Sequence, residues 1–152
     1  MADLKRIARQ MAEEVYSKGD LDVVDQLCAQ NYKGQDWALG KLDRAGLKQQ
    51  VKRMHAAFPD LKVEIDELVI EGNKVVGRYH STGTQRGEYM GSPPSNKKFR
   101  SDGIAYYLFD KNSKIVEARL YYDLLSIGQQ LGLIPELVSS AATGTATRPR
   151  AR

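Results

Sequence analysis

FPDLKVEIDELVIEGNKVVGRYHSTGT, residues 58–84, is the most informative segment for the fold, because its apolar residues recur with a period of 2. Apolar and polar residues alternate first in one parity and then in the other, at Leu61, Val63 and Ile65, and then at Leu68 and Ile70. This pattern predicts a β-strand with a bulge or bend near Asp66–Glu67. Glu71-Gly72-Asn73 predicts a hairpin turn, and a second strand is expected over about 74–86.

Helical patterns precede this stretch. Apolar residues recur at helical spacing in three segments, residues 3–18, 20–27 and 43–57. Asp3 and Asp43 can cap the first and third segments, and Pro59 ends the third. Residues Asn31–Lys41 show no regular period, so they are expected to be irregular.

Two further strands and a closing helix are expected after the stretch. The two prolines of GSPPSN, residues 91–96, exclude this segment from the interior of a sheet and predict a loop. Strands are expected over 98–109 and 114–123, with a short helix over 124–131. Helices followed by antiparallel strands predict an α+β fold, with helices on one face of a curved sheet of about four to six strands. A strongly bent sheet closed by helices encloses a cavity, which is the usual place for a small-molecule site.

Length and composition favour one domain. The chain has 152 residues, of which 41% are hydrophobic and 28% charged, and this suits a single domain over residues 1–138. Residues 139–152 are small, polar and arginine-containing, and are expected to form a disordered basic tail. The arginines of this tail account for most of the net charge of +4. The domain itself therefore carries no basic stripe, and nucleic-acid binding is not expected.

Residue types also bear on compartment and metal use. The chain contains no long apolar run, so no transmembrane helix is expected, and its charged N-terminal residues do not favour a secretion signal. Cys28 is the single cysteine and cannot form an internal disulfide, which fits a reducing cytoplasm. With one cysteine and two histidines, neither a metal site nor a metal cofactor is expected.

Four segments carry a resemblance to a known family: GDLDVVDQL (19–27), AAFPDLKVEIDELVIEGNKVVGRYHSTGT (56–84), GEYMGSPPSNKKF (87–99) and KIVEARLYYDLLSIGQQLGL (114–133). In order and spacing they resemble the SnoaL-like polyketide cyclases, also called ester cyclases. The resemblance implies the nuclear transport factor 2-like cone fold, a curved antiparallel sheet wrapped around N-terminal helices with an internal cavity. It also implies aldol-type ring closure without a metal or organic cofactor and with an aspartate as acid/base. By position, that aspartate corresponds to Asp123.

The predicted strand 114–123 has two faces. Ile115, Glu117, Arg119, Tyr121 and Asp123 share one face, and Val116, Ala118, Leu120 and Tyr122 share the other. The charged face of an antiparallel strand is ordinarily solvated, but the resemblance implies that Asp123 faces the cavity. Burial among tyrosine and leucine side chains would make Asp123 a stronger base. Arg119 and Tyr121 are then candidates for substrate binding, with Arg119 either holding a carboxylate or enolate oxygen or lying at the pocket rim.

Asp102 is the second candidate catalytic carboxylate, and its role depends on strand register. A two-residue turn puts Asp102 opposite Asp123, whereas a three-residue loop points Asp102 away. The resemblance favours the three-residue loop, because the matching turn of the family keeps Phe109 opposite Ile115. Asp102 shares a strand face with Arg100. Together with Asp123 they resemble the arrangement in limonene epoxide hydrolase, where an arginine holds two aspartates that activate water. The alternative is a surface ion pair without function.

Further candidates for substrate binding lie on other elements. His80, in the middle of its strand, is either an accessory acid/base or a solvated histidine. Trp37 and Phe58 either line the cavity or pack in the core, and Tyr107 is a further candidate on strand 98–109.

The resulting hypothesis is an enzyme that acts without a cofactor on a small hydrophobic carbonyl compound. The expected chemistry is proton abstraction by Asp123 followed by aldol-type cyclisation or isomerisation. Two alternatives stay open: a non-catalytic binder of a small hydrophobic ligand, and hydrolysis of an epoxide by water activated between Asp102 and Asp123. A homodimer formed through a face of the sheet is also expected.

Overall fold

The computed structural model describes residues 3–36 and 40–135, and the expected tail, residues 139–152, lies outside them. The described residues form the α+β fold that was predicted, a curved six-stranded sheet with the N-terminal helices packed on one face. None of the helices in this part of the chain is both long and apolar enough to cross a membrane.

The helices lie where the apolar spacing predicts them. They are α1 (Leu4–Gln10), which continues as a π-helical segment (Met11–Ser17), α2 (Asp22–Leu27), α3 (Arg44–Ala57) and α4 (Leu124–Gln130). Asp3 and Asp43 cap α1 and α3 as predicted: Asp3 accepts from the N–H groups of Lys5 and Arg6, and Asp43 from the N–H of Gly46. Gly19, with φ +71°, follows the end of the first helical segment.

The strands are β1 (Cys28–Asp36), β2 (Gly40–Leu42), β3 (Lys62–Glu71), β4 (Lys74–Thr84), β5 (Lys98–Phe109) and β6 (Ile115–Tyr122). Their order across the sheet is β2-β1-β6-β5-β4-β3. Neighbouring strands are antiparallel except β1 and β6, which are parallel. The sheet is therefore mixed. Strands β3 to β6 form an antiparallel meander, and its last strand, β6, pairs in parallel with β1.

Strands β1 and β2 correct the expectation of an irregular stretch over residues 31–41. In β1 alternate residues are buried, among them Tyr32, Gly34 and Asp36. Two of these buried positions hold a glycine and an aspartate, which are poor strand formers. Hydropathy alone therefore does not reveal the alternation. Pairing with β6 and β2 stabilises the strand instead.

The predicted hairpin of β3 and β4 is confirmed. The pairing of β3 with β4 shifts between Ile65 and Glu67, so the bulge lies where the alternation changes parity. Glu71 pairs with Lys74 around a turn in which Gly72 has φ +58°.

A second bulge, in β6, decides which of its residues face inward. Phe109 pairs with Ile115, as the favoured three-residue loop requires, but Leu108 pairs with Glu117, so one extra residue lies between Ile115 and Glu117. Beyond this bulge the residues that face the core are Ala118, Leu120 and Tyr122. The bulge thus reverses the predicted faces of the rest of the strand.

The helices and the sheet enclose two hydrophobic clusters. The larger joins the N-terminal helices to the inner face of the sheet and includes Met11, Val15, Leu47, Tyr107 and Phe109. The smaller lies between α3, β5 and α4 and includes Phe58, Leu61, Phe99, Ile127 and Leu131. Residues of both clusters surround the cavity described next.

Candidate active site

The interior of the sheet and helices holds a mostly apolar cavity of about 80 Å³. Its wall includes aromatic and aliphatic side chains such as Phe58, Phe99, Tyr79, Tyr107 and Leu120. Asp36 is the only charged residue among the described residues of the wall. An apolar cavity with a few convergent polar groups is the usual form of a small-molecule site.

Asp36 brings a carboxylate to the cavity wall and out of bulk water, since only 2% of the residue is exposed. Gln50 Nε2 donates to Asp36 Oδ2 at 2.9 Å, and the Tyr122 hydroxyl lies 3.0 Å from Oδ1 and 3.2 Å from Oδ2. A buried carboxylate without donors is very costly, so these hydrogen bonds compensate for the water it has lost. They also fix the orientation of the carboxylate.

Three elements bring these side chains together. Asp36 is the last residue of β1, and in the parallel pairing it lies opposite Leu120 of β6. Tyr122 is two residues further along β6 and so shares its inward face. Gln50 comes from the apolar stripe of α3, one turn after Leu47.

Tyrosines of the cavity wall feel the charge of this carboxylate. Burial raises the pKa of Tyr79, Tyr89 and Tyr122, and the negative charge of Asp36 raises each of these pKa values further. All three hydroxyls therefore stay protonated near neutral pH. They can donate hydrogen bonds, but they cannot act as bases.

The cavity adjoins the protein surface. Four of its lining residues, Gln50, Met54, Tyr89 and Tyr122, also line a surface recess of about 460 Å³. A ligand would pass between the recess and the cavity at these four side chains.

The loop over residues 85–97 forms one side of this passage. Its Tyr89 ring packs edge-on against Phe58, with 5.0 Å between ring centroids. Fully buried Gln85 holds the loop from beneath: its Nε2 donates to the carbonyls of Gly87, Ser92 and Pro93, and its Oε1 accepts from the N–H of Ser95. The position of Tyr89 thus depends on a side chain outside the cavity.

Two candidates from the sequence lie in the cavity wall. Phe58 and Tyr107 are both buried and both line the cavity. Their contact with a substrate stays a prediction.

Asp123 lies outside the cavity, contrary to expectation. Its side chain is exposed, and its Oδ1 accepts a hydrogen bond from the N–H of Ser126 at 2.8 Å, so Asp123 caps α4. Strand β6 ends at Tyr122, and the turn into the helix carries the next side chain away from the inner face. The buried carboxylate that was expected at Asp123 is instead Asp36.

Arg119, Tyr121 and Asp102 are also outside the cavity. Arg119 Nε lies 2.6 Å from Glu117 Oε1, both on the exposed face, and Tyr121 is 41% exposed. Asp102 forms an exposed ion pair with Arg100, with 3.3 Å between Oδ1 and Nη2. Of the two alternatives for Arg100 and Asp102, the structure therefore shows the surface ion pair, and neither these residues nor Asp123 line the cavity.

His80 lies on the outer side of the β3–β4 hairpin. Its Nδ1 is 2.8 Å from Asp66 Oδ1 and its Nε2 is 3.0 Å from Glu64 Oε2. The hydrogen bond to His80 lowers the pKa of Asp66. His80 is therefore a strand residue hydrogen-bonded to two carboxylates, away from the cavity that its neighbour Tyr79 lines.

The remaining expectations concern Trp37 and metal ligands. Trp37 lies outside the described residues. Among residues 3–36 and 40–135, no group of three or more histidine, cysteine, aspartate or glutamate side chains is placed to hold a metal ion.

The residues that build the site, Asp36, Gln50 and Tyr122, were not among the predicted candidates. One signal was available for Gln50, because it lies at helical spacing with Leu47, Val51 and Met54 and so interrupts an apolar stripe with a polar residue. Asp36 falls on the buried parity of β1, but only once that strand is recognised. Tyr122 depends on the bulge in β6.

Comparison with known proteins agrees with this architecture. A model of the SnoaL-like polyketide cyclase family matches residues 6–131. A proposed polyketide cyclase from Acidithiobacillus ferrooxidans is 30% identical with a TM-score of 0.73, over 88% of this chain and 97% of that chain. No curated protein matches the sequence.

Two more distant structures support the fold alone. AclR, a proposed hydroxylase from Streptomyces galilaeus, has a TM-score of 0.80 at 21% identity, over 93% of this chain and 88% of that chain. IdmH, a proposed polyketide cyclase from Streptomyces antibioticus, has a TM-score of 0.76 at 24% identity, over 86% of this chain and 99% of that chain. The chain therefore belongs to the SnoaL-like polyketide cyclase family, with a nuclear transport factor 2-like cone fold.

Proposed function

We propose that this protein is a cofactor-independent cyclase or isomerase of small, hydrophobic carbonyl compounds, with Asp36 as the general base. The observation that carries the proposal is the 2% exposed carboxylate at the wall of an apolar cavity, held by hydrogen bonds from Gln50 and Tyr122. Family membership supports the reaction class and a substrate related to polyketides.

In the proposed reaction, a carboxylate oxygen of Asp36 takes a proton from the carbon next to a substrate carbonyl, which leaves an enolate. The enolate carbon attacks a second carbonyl of the same molecule and a C–C bond forms. The resulting alkoxide takes the proton back from Asp36. Substrate and product then have the same atomic composition. General acid/base action contributes about 10²–10⁴-fold, and the cavity adds to this by holding the chain in a ring-closing conformer.

The protonated tyrosines support the same chemistry. The negative charge of an enolate oxygen is stabilised by hydrogen-bond donors that are already in place. Tyr79 and Tyr89 line the cavity, and burial and the charge of Asp36 raise the pKa of both hydroxyls. We assign them as candidate donors to that oxygen, while Tyr122 orients Asp36.

Exchange of α-protons in a simple ketone tests the role of Asp36. Cyclohexanone in D₂O, followed by ¹H NMR, reports proton abstraction without requiring the natural substrate. We expect the unaltered protein to accelerate exchange, and Asp36→Asn, which keeps the size of the side chain, to lose about 10²–10⁴-fold of that acceleration.

Asp123→Asn is the matched control for this experiment. Asparagine also caps helices well, so this variant is expected to keep its stability and its exchange rate. An unchanged rate in Asp36→Asn, or a loss confined to Asp123→Asn, would show that Asp36 is not the base. Thermal melting curves confirm that each variant is folded.

The competing function is a non-catalytic binder, which the mostly apolar cavity also favours. No acceleration by the unaltered protein, together with saturable cyclohexanone binding that Asp36→Asn leaves unchanged, would support the binder.

We further propose a cytoplasmic homodimer. The outer face of the sheet supports the dimer, because it exposes the apolar side chains of Val76, Ile104 and Tyr121. The single cysteine, buried and free, supports the compartment.

A further inference from the structure

Gln50 places a buried polar side chain at the cavity wall. The residue is only 6% exposed and lines both the cavity and the surface recess. It is therefore placed where a ligand would enter.

The orientation of its amide is fixed by Asp36. An ionised carboxylate has only acceptors, so the Gln50 atom 2.9 Å from Asp36 Oδ2 must be the NH₂ group. The carbonyl oxygen Oε1 is then the other end of the amide. Among residues 3–36 and 40–135, this oxygen has no hydrogen-bond partner.

The neighbouring hydroxyl does not satisfy this oxygen. Tyr122 has a single proton, and it donates that proton to Asp36. Buried polar atoms are nearly always paired, because an unpaired one costs the free energy of its lost hydration. An open acceptor at a cavity wall therefore indicates a ligand that brings the donor.

We propose that Gln50 is a specificity-determining residue whose Oε1 accepts a hydrogen bond from a hydroxyl group of the substrate. The proposed substrates are therefore carbonyl compounds that also carry a hydroxyl group, as an alcohol, an enol or a phenol. Because the same amide donates to Asp36, the bound hydroxyl lies beside the carboxylate and orients the adjoining part of the substrate toward it.

Phenol and toluene form a matched pair of probes for this hydrogen bond, because they differ only in a hydroxyl and a methyl group. Affinities of both are measured by NMR titration of the full chain, of Gln50→Met and of Tyr122→Phe. The phenol-to-toluene affinity ratio is expected to fall about three- to tenfold in Gln50→Met. It is not expected to fall in Tyr122→Phe, which keeps Oε1 in place.

An unchanged ratio in Gln50→Met would overturn the proposal, as would a fall confined to Tyr122→Phe. Should Gln50→Met fail to fold, anisole provides the test on the unaltered chain, since this methyl ether of phenol has no donor. Anisole must bind more weakly than phenol, and equal or tighter binding overturns the proposal.

This inference rests on the proposed function for the reaction at Asp36, but the hydrogen bond is measured without turnover. Loss of ketone exchange in Asp36→Asn with no preference for phenol would reject the role of Gln50 alone. A preference for phenol without ketone exchange would reject the base alone.

Discussion

Carboxylates with the same chemistry have different roles in this protein according to what surrounds them. Asp36 is buried at a cavity wall with two donors, whereas Asp123 is exposed and caps a helix. Asp60 has a third role, because it ties the end of β4 to the segment after α3. Its two oxygens accept hydrogen bonds from the N–H and the hydroxyl of Thr84, each at 2.7 Å.

Asp60 makes part of the stability of the protein dependent on acid. Burial disfavours the ionised form of Asp60, but the hydrogen bonds from Thr84 outweigh this and lower its pKa below the ordinary 3.8. The unfolded chain therefore binds a proton at a higher pH than the folded chain does. The contribution of Asp60 to the free energy of unfolding is present above pH about 4 and is lost as the pH falls through the lowered pKa.

Denaturant unfolding at several pH values checks this expectation. Asp60→Asn is expected to be less stable than the unaltered protein at pH 7, and the difference is expected to shrink below pH about 4. Thr84→Val, which removes the hydroxyl donor alone, is expected to reproduce part of the effect. A stability difference that is constant with pH would contradict this account.

Individual elements position the site through contacts that lie outside it. The bulge in β6 turns Tyr122 toward the cavity, and the loop over 85–97 presents Tyr89 at the passage to the surface. This loop has backbone contacts of its own, since the N–H groups of Arg86 and Gly87 both donate to the carbonyl of Ala57 at the end of α3. Gln85 supplies the remaining side-chain hydrogen bonds.

Gln85 is expected to control the order of this loop. Gln85→Ala removes the side-chain hydrogen bonds that hold the loop, so it should cost about 1–3 kcal/mol of stability. Hydrogen exchange of the backbone amides over 86–96 should become faster. The measurement is exchange followed by mass spectrometry, with the exchange of β3–β5 as the internal reference.

Gln85→Glu is the control of equal size, because it keeps an acceptor and replaces the amide donor by a second acceptor that faces the same carbonyls. It is expected to loosen the loop at least as much as Gln85→Ala. Wild-type exchange in both variants would mean that the backbone contacts with Ala57 suffice.

Within residues 3–36 and 40–135, one face of the sheet is covered by helices and the other is exposed. In the sheet register, Ile104 lies between Arg78 and Tyr121, and Val76 lies beside Tyr106. Val76, Ile104 and Tyr121 are each about two-fifths exposed. Such a patch on a small protein is typical of a subunit interface.

Ile104→Glu is expected to convert the proposed dimer into a monomer, because association would bury an unpaired charge. Sedimentation velocity at several protein concentrations measures this. Leu125→Glu provides the control, since Leu125 is 50% exposed but lies on α4 and not on the sheet. A monomeric unaltered protein, or dissociation caused only by Leu125→Glu, would exclude this interface.

The order and type of most helices and strands could be predicted from the amino-acid sequence. The caps at Asp3 and Asp43, the hairpin around Gly72 and the bulge after Ile65 depend on residues close together in the chain. Such features follow from local hydrogen bonding and from the periodicity of apolar residues, so they can be read from a single sequence. The same is true of the wall residues Phe58 and Tyr107, because large aromatic side chains are buried in most contexts.

The polar groups that line the cavity could not be predicted from the sequence, because their positions depend on contacts between different elements. Asp36, Gln50 and Tyr122 come from three different elements, and the hydrogen bonds from Gln50 and Tyr122 compensate for the burial of Asp36. Asp36 lies in a strand that forms through pairing with β6, and Tyr122 faces inward because one extra residue shifts the register of that strand. A one-residue shift moves every later side chain to the opposite face, so Tyr122 lines the cavity and Asp123 does not.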